Sequence, residues 1–394
     1  MAGSSKRGGK SSRIDTVLTH AGLAPFDYHG FVNPPLVRAS TVLFENVAAM
    51  QGRSGHPYPY GLTNTPTIDA LTTALSELDG AAGTVLVPSG LAAVTTAILT
   101  VVRPGCTILV PDNVYAPTRR FCEVSLPALG ATTLFYDPLI GAGIAGMLDG
   151  ATALFMEAPG SHSFEMPDLT ALVAAAQTGG ITTMLDNTWA TPLIYRPLDH
   201  GIDLAIYAGT KYQAGHSDLL IGSISANAKA WPSLHRLHRN LGIQAGTEEI
   251  WLTLRGLRTM SVRMERHEKN ALAVAGWLRE RPEVARLLHP AFPDDPGHAI
   301  WKRDFRRSNG LFGLVLKGTE AQAHAFLDAL ELFGLGFSWG GFESLAVLAE
   351  LEHVRSVRPW TEGPVVRLHV GLEDPQDLIE DLERGFAAMA KVAA

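Results

Sequence analysis

Cysteine is nearly absent from the chain: Cys106 and Cys122 are the only two among 394 residues. One bridge could not staple a chain of that length, so a disulfide framework is excluded and reduced thiols in a cytoplasmic protein are expected. Charge is modest too, at 18% of residues with a net charge of -7, and no basic stripe is dense enough for a nucleic-acid footprint. Long hydrophobic runs are missing. The longest, such as Leu91 to Val102, are broken by Thr and too short to span a bilayer, which leaves no membrane association to expect. The first residues, Met1 to Ser12, are small, polar and basic, without the apolar stretch of a signal peptide, and read as a tail. The fourteen His residues show no HxxxH spacing and the two Cys no CxxC spacing, so no metal site is expected.

What is present is apolar material, 46% of the chain, enough for a large core in two or three domains. Short apolar runs alternate with helical stretches from Thr84 to about Ser225. The runs are Thr84–Val87, Thr107–Val110, Thr132–Tyr136, Ala153–Met156, Thr182–Leu185, Leu204–Tyr207 and Leu219–Ile224. They are continuous rather than alternating, as strands buried on both faces are. Amphipathic segments such as Asp168–Gln177 lie between them. The pattern argues for a largely parallel sheet covered on both sides, with chemistry in the loops beyond the carboxyl ends of its strands. A Pro-free helical stretch runs next, from about Glu248 to Glu280, ended by Pro282. Beyond it, strands Leu311–Leu316 and Val365–Val370 and helices Glu320–Leu332 and Gln376–Val392 read as a smaller α/β domain. The expected division is an N-terminal tail and intersubunit segment (1–60), a cofactor-binding domain (61–260) and a C-terminal domain (261–394).

Two strand ends carry the chemistry. Asp186 closes Thr182–Leu185, and Lys211 follows the next apolar run 25 positions later. A carboxylate and an amine at neighbouring strand ends are what pyridoxal phosphate needs. The lysine bonds the cofactor aldehyde as a Schiff base, and the carboxylate keeps the pyridine nitrogen protonated so that the ring withdraws electrons. Taken singly, the Asp could be a helix cap and the Lys a surface residue. The turn Pro88-Ser89-Gly90-Leu91 leaves a strand and opens a helix, so the amides of Gly90 and Leu91 face outward as an anion site. Thr210, directly before the lysine, is placed to add a hydroxyl to the same phosphate.

Asp186-Asn187-Thr188-Trp189-Ala190 and Thr210-Lys211-Tyr212-Gln213-Ala214-Gly215-His216-Ser217-Asp218 resemble the cofactor signature of the Cys/Met-metabolism family of pyridoxal-phosphate enzymes. The likeness extends from about Ile14 to the C-terminus through Asn33-Pro34-Pro35, Arg255-Gly256-Leu257-Arg258-Thr259 and Arg367-Leu368-His369-Val370-Gly371. Within the family the chain resembles the β-acting lyases. Trp339, in Ser338-Trp339-Gly340-Gly341-Phe342-Glu343-Ser344, stands where γ-acting members tend to have a smaller apolar residue. Glu157-Ala158-Pro159-Gly160-Ser161 and Tyr115-Ala116-Pro117-Thr118 fit the same group.

The resemblance implies a type I aminotransferase-like α/β fold, with a mostly parallel seven-stranded sheet in the large domain and a smaller C-terminal α/β domain. It implies α,β-elimination of L-cystathionine to homocysteine, pyruvate and ammonia in methionine biosynthesis, with γ-elimination, γ-synthesis or cleavage of other cysteine S-conjugates as the alternatives. Lys211 would be the Schiff-base lysine and proton carrier, Asp186 the partner of the ring nitrogen, and Tyr115 the residue stacked on the ring near the leaving sulfur. Gly90, Leu91 and Thr210 would bind phosphate. Arg367 would take the substrate carboxylate, with Ser338 and Trp339 lining the pocket. Tyr60 would reach the phosphate of a neighbouring subunit in a homotetramer with shared sites. Two positions depart from the family. Leu62 replaces an Arg that contacts the neighbour's phosphate, which leaves Arg53 as a candidate substitute, and Ala208 replaces a phosphate-binding Ser.

Overall fold

In the computed structural model, which describes residues 13–52, 57–351 and 354–393, twelve strands fall into two sheets. The tail Met1–Ser12 and Arg53 lie outside the described residues. The first sheet holds β1 (Gly83–Val87), β2 (Thr107–Pro111), β3 (Thr132–Tyr136), β4 (Ala151–Glu157), β5 (Thr182–Asp186), β6 (Leu204–Tyr207) and β7 (Gly222–Ala226). Its order is β1-β7-β6-β5-β4-β2-β3. All neighbours from β3 through β6 are parallel, whereas β7 runs antiparallel to both β1 and β6. This is the mostly parallel seven-stranded sheet that the apolar runs point to.

The continuous apolar runs have a direct physical reason. Successive residues of a strand face opposite sides, and both sides of this sheet are covered. Leu154 and Met156 of β4 join one core, while Ala153 and Phe155 join the other. The helix expected at Asp168–Gln177 spans Leu169–Thr178, and Asp168 caps it by accepting the Ala171 amide at 3.0 Å.

Two expectations need correction. The strand expected at Leu219–Ile224 starts only at Gly222. Its first residues are engaged elsewhere: the Ile221 amide and carbonyl both pair with Thr210, which ties that segment to the lysine loop. The helix expected from Glu248 to Glu280 is two helices, Thr247–Leu257 and Met260–Arg279. Arg263 takes the carbonyls of Gly256 and Tyr212, at 2.8 and 2.9 Å, and so pulls the end of the first helix onto the segment after Lys211. Gly256 is packed there so closely that a Cβ would lie 2.4 Å from the Ala214 carbonyl oxygen.

The second sheet has the order β10-β11-β12-β9-β8. Leu311–Leu316 forms β9 and Val365–His369 forms β12, as read from the sequence; Val284–Leu288 (β8), Gly334–Leu335 (β10) and Leu345–Ala349 (β11) were not expected. Helices Glu320–Asp328 and Pro375–Met389 cover it around a third core that includes Phe326 and Phe386. Strand register sets which side chains lie side by side: Glu157 pairs with Asp186 across β4 and β5, and Arg367 pairs with Gly313 across β12 and β9. No helix among the described residues is long and apolar enough to cross a membrane.

Candidate active site

The parallel strands end together, and their carboxyl ends bring Tyr115, Glu157, Asp186 and Lys211 to one edge of the sheet. The small sheet adds Arg367 from β12 and the turn Ser338–Gly341. Lys211 Nζ donates to Ser338 Oγ at 2.5 Å and lies 5.4 Å from the centre of the Trp339 ring. Arg367 Nη2 donates to the Ser338 carbonyl at 2.9 Å. One serine therefore receives both cations of the site. Its backbone is left-handed, with φ of 77°, an uncommon conformation for a residue other than Gly.

These charges alter one another. Burial, and then the Arg367 guanidinium, lower the Lys211 ammonium to a pKa of about 8, with Asp186 acting in the opposite direction. Glu157 and Asp186, side by side on adjacent strands, are both pushed up by removal from water, and Glu157 well above the carboxylate range because Asp186 adds repulsion. Thr188 holds the Asp186 carboxylate through its amide at 3.0 Å. Glu157 Oε2 accepts the Tyr115 amide at 2.9 Å, which fixes the start of the short helix Ala116–Arg120. Burial raises the Tyr115 phenol, and Glu157 and Asp186 raise it further, so the hydroxyl keeps its proton at neutral pH.

Against the lysine loop, at Ala208, lies the turn from β1 into the helix Gly90–Leu99. Ser89 caps this helix by accepting the Ala92 amide. The first-turn amides of Gly90 and Leu91 have no acceptor within a helix, as at any helix start. Gly90 is required: a Cβ there would stand 2.4 Å from Ala208 Cβ. The Thr210 hydroxyl does not simply face the turn; it donates to the Ile221 carbonyl at 3.2 Å and accepts the Ile221 amide at 3.0 Å.

Lys211, Asp186, Tyr115, Ser338, Trp339 and Arg367 thus come together. Tyr60 and Leu62 do not join them within one chain. Tyr60 is 48% exposed, with its hydroxyl accepting from Ser40. Leu62 lines a cavity of about 960 Å³ with Thr84, Leu86, Trp231 and His238, away from the lysine. Two further residues, to which the sequence pattern assigns no role, are also present. His162 has φ of 58° and a buried, unpartnered Nδ1; burial, and then Arg367, depress it to a pKa of about 4. His369 accepts the Gly340 amide at 3.1 Å. No spacing pattern marks either His.

The family model described as Cys/Met metabolism PLP-dependent enzyme matches residues 15–387. A putative cystathionine beta-lyase of Rhizobium johnstonii is 52% identical, with 97% of this chain and 98% of the relative covered. The cystathionine beta-lyase MetC of Escherichia coli is 42% identical over 95% of this chain and 98% of its own. Among solved structures, a cystathionine gamma synthase of Xanthomonas oryzae pv. oryzae, in complex with cystathionine, superposes with a TM-score of 0.89 at 30% identity, covering 97% of this chain and 99% of that one.

Proposed function

Because the chain belongs to the Cys/Met metabolism PLP-dependent enzymes, we propose that it is a cystathionine β-lyase, taking L-cystathionine and water to homocysteine, pyruvate and ammonia in methionine biosynthesis. It is a pyridoxal-phosphate-dependent carbon–sulfur lyase. The observation that carries the substrate reading is the grip of Ser338 on both Lys211 and Arg367 beside the Trp339 ring. It puts the amine and the carboxylate-binding guanidinium a single residue apart, against an aromatic wall.

The residues present fit the cofactor. Gly90 leaves a cradle against Ala208 that a Cβ would fill, and the adjoining helix start favours an anion. The two carboxyl groups Glu157 and Asp186, raised together at the strand ends, would be relieved by a cationic partner such as a protonated pyridine nitrogen, which Asp186 would hold. Lys211, Asp186, Tyr115, Gly90 and Leu91 would hold it, with Thr210 close by on the lysine loop. When bound, pyridoxal phosphate supplies a conjugated ring that takes up the electron pair of the bond being broken.

The chain's own groups do the rest. With its ammonium depressed, Lys211 presents a substantial neutral fraction near neutral pH, so Nζ can take a proton from Cα of the substrate and return it. Ser338 Oγ fixes where that nitrogen rests. Arg367 has a buried Nε without a partner, in addition to the Nη2 held by Ser338, and offers a fork to the α-carboxylate. The protonated Tyr115 hydroxyl can serve the departing sulfur. Trp339, with its ring centre 5.4 Å from Lys211 Nζ, would line the substrate pocket.

The assembly proposed is a homotetramer with shared sites, in which Tyr60 reaches the phosphate of a neighbour. Its support is the exposure of Tyr60 and of apolar side chains in the same N-terminal part, Phe26 at 93% and Leu43 at 87%. The location proposed is the cytoplasm, in line with the two buried, unpaired thiols. The test is a panel: purified protein with pyridoxal phosphate and L-cystathionine, S-methyl-L-cysteine or L-methionine. The highest kcat/KM is expected on cystathionine, with pyruvate released. Preferred turnover of methionine to 2-oxobutyrate would overturn the reading.

A further inference from the structure

The turn that carries Ser338 has little reason to hold its shape unaided. Ser338 has φ of 77° and Gly340 has φ of 85°, so two residues of one short turn are left-handed. A Cβ on Gly340 would lie 3.0 Å from the Tyr212 amide nitrogen, which shows how closely the turn is pressed onto the residue after Lys211. The side chains of its neighbours Phe337 and Phe342 are exposed, although the Phe342 carbonyl accepts the Leu372 amide at 2.8 Å.

Two buried side chains of β12 hold the turn: Arg367, through the Ser338 carbonyl at 2.9 Å, and His369. His369 follows Arg367 by two positions on β12, so both point to the same face of the sheet. Its Nε2 lies 3.1 Å from the Gly340 amide nitrogen and 3.2 Å from the Gly341 carbonyl oxygen. A backbone N–H can only donate, so Nε2 is the acceptor and the ring proton sits on Nδ1. The Gly341 carbonyl is then a near neighbour and not a second bond. Tyr212 and His267 flank the ring, at 6.1 and 5.1 Å between centroids. The His267 Nδ1 is engaged with the Val370 carbonyl at 2.9 Å, and neither its Nε2 nor the His369 Nδ1 has a hydrogen-bond partner.

We infer that His369 is a positioning residue for the elimination: by accepting the Gly340 amide it holds the Ser338–Gly341 turn in the shape that presents Ser338 Oγ to Lys211 and the Ser338 carbonyl to Arg367. It touches neither substrate nor reacting atoms. Burial and the nearby His267 keep the ring neutral, which preserves the acceptor.

The inference rests on the proposed elimination only for its kinetic arm. His369→Gln keeps an acceptor at about the place of Nε2, whereas His369→Leu and His369→Phe fill the space without one. Each is prepared as the holoenzyme and compared with the wild type in thermal melting, in hydrogen exchange of the peptide spanning Ser338–Gly341, and in kcat and KM on L-cystathionine. Both apolar variants are expected to exchange that peptide about tenfold faster. They should also lose about tenfold in kcat/KM, shared between a higher KM through Arg367 and a lower kcat through Lys211. H369Q should stay near the wild type in both. Equal losses in all three variants would show a packing role and overturn the inference, as would wild-type exchange in H369L and H369F. A wild type that ignores cystathionine while the exchange pattern holds would refute the substrate and leave the turn's anchor standing.

Discussion

Lys211 is useful because it is uncomfortable. Burial and Arg367 oppose its proton, and the amine titrates near 8 where an exposed lysine titrates near 10. That depression fixes the sign of the pH effect. Attack on the cofactor aldehyde requires the neutral amine, so apoenzyme should recapture pyridoxal phosphate faster as pH rises, levelling above about 8. Below that pH the rate should fall about tenfold per unit. A rate still climbing tenfold per unit up to pH 10 would mean that Lys211 is an ordinary lysine. Lys211→Ala should abolish the visible absorption of the lysine-bound cofactor together with nearly all turnover, checked by spectrum and assay. Arg367→Lys should raise KM by about tenfold or more, because a point charge cannot reproduce a two-bond fork; a KM within about twofold of the wild type would make Arg367 structural. The Lys211 and Asp186 pair was legible in the sequence because two apolar runs ending in an ionisable residue advertise strand ends. Ser338, Trp339 and Arg367 were legible only through the family likeness. His369 was not legible as a participant, since an isolated imidazole acquires meaning only from the distant elements that the fold sets against it.

At the level of elements, the strand ends of the large sheet are tied to the segment between β11 and β12 by a buried charge cluster around Asp112, three positions before Tyr115. Arg119 Nη2 meets its Oδ1 at 2.6 Å, Arg355 Nε meets its Oδ2 at 3.4 Å, and the amides of Ser356 and Arg358 each donate at 2.8 Å. Burial by itself would raise this carboxyl, but the Arg358, Ser356 and Val357 amides and the Ser356 hydroxyl outweigh it and hold the group below the usual range. A depressed carboxylate contributes stability that is present above its unfolded pKa of about 4 and is lost as pH falls through the lower folded value. Asp112→Ala removes the common partner of two buried arginines. It should destabilise the chain by about 3–5 kcal/mol in denaturant unfolding, and the acid sensitivity of the wild type should be blunted in the variant. A loss below about 1 kcal/mol would contradict that account. None of this cluster shows in the sequence, where Asp112 and Arg355 are far apart. The split of the long helix at Arg258 escaped sequence reading for the same reason: no Pro or Gly-rich break marks it, and the cause is Arg263 reaching for the Gly256 and Tyr212 carbonyls.

For the whole molecule, the open question of charge sits at Leu62. A phosphate carries nearly two negative charges and a helix start offers about half a positive one. Leu62 cannot supply the remainder, and it lines a cavity away from the lysine of its own chain. Within a shared-site assembly, Leu62→Arg should slow the loss of cofactor during dialysis against a carbonyl scavenger, by about tenfold if one charge-assisted bond of ~1.5 kcal/mol is gained. Unchanged retention would show that another group already balances the phosphate. The exposed Phe26 and Leu43 predict association in solution, which sedimentation of the holoenzyme measures directly. The central claim is that the groups gathered at Lys211 break the bond between sulfur and the β carbon. Its most direct test is L-cystathionine carrying heavy carbon only in the three-carbon half. The account predicts labelled pyruvate and unlabelled homocysteine; labelled cysteine with unlabelled 2-oxobutyrate would contradict it.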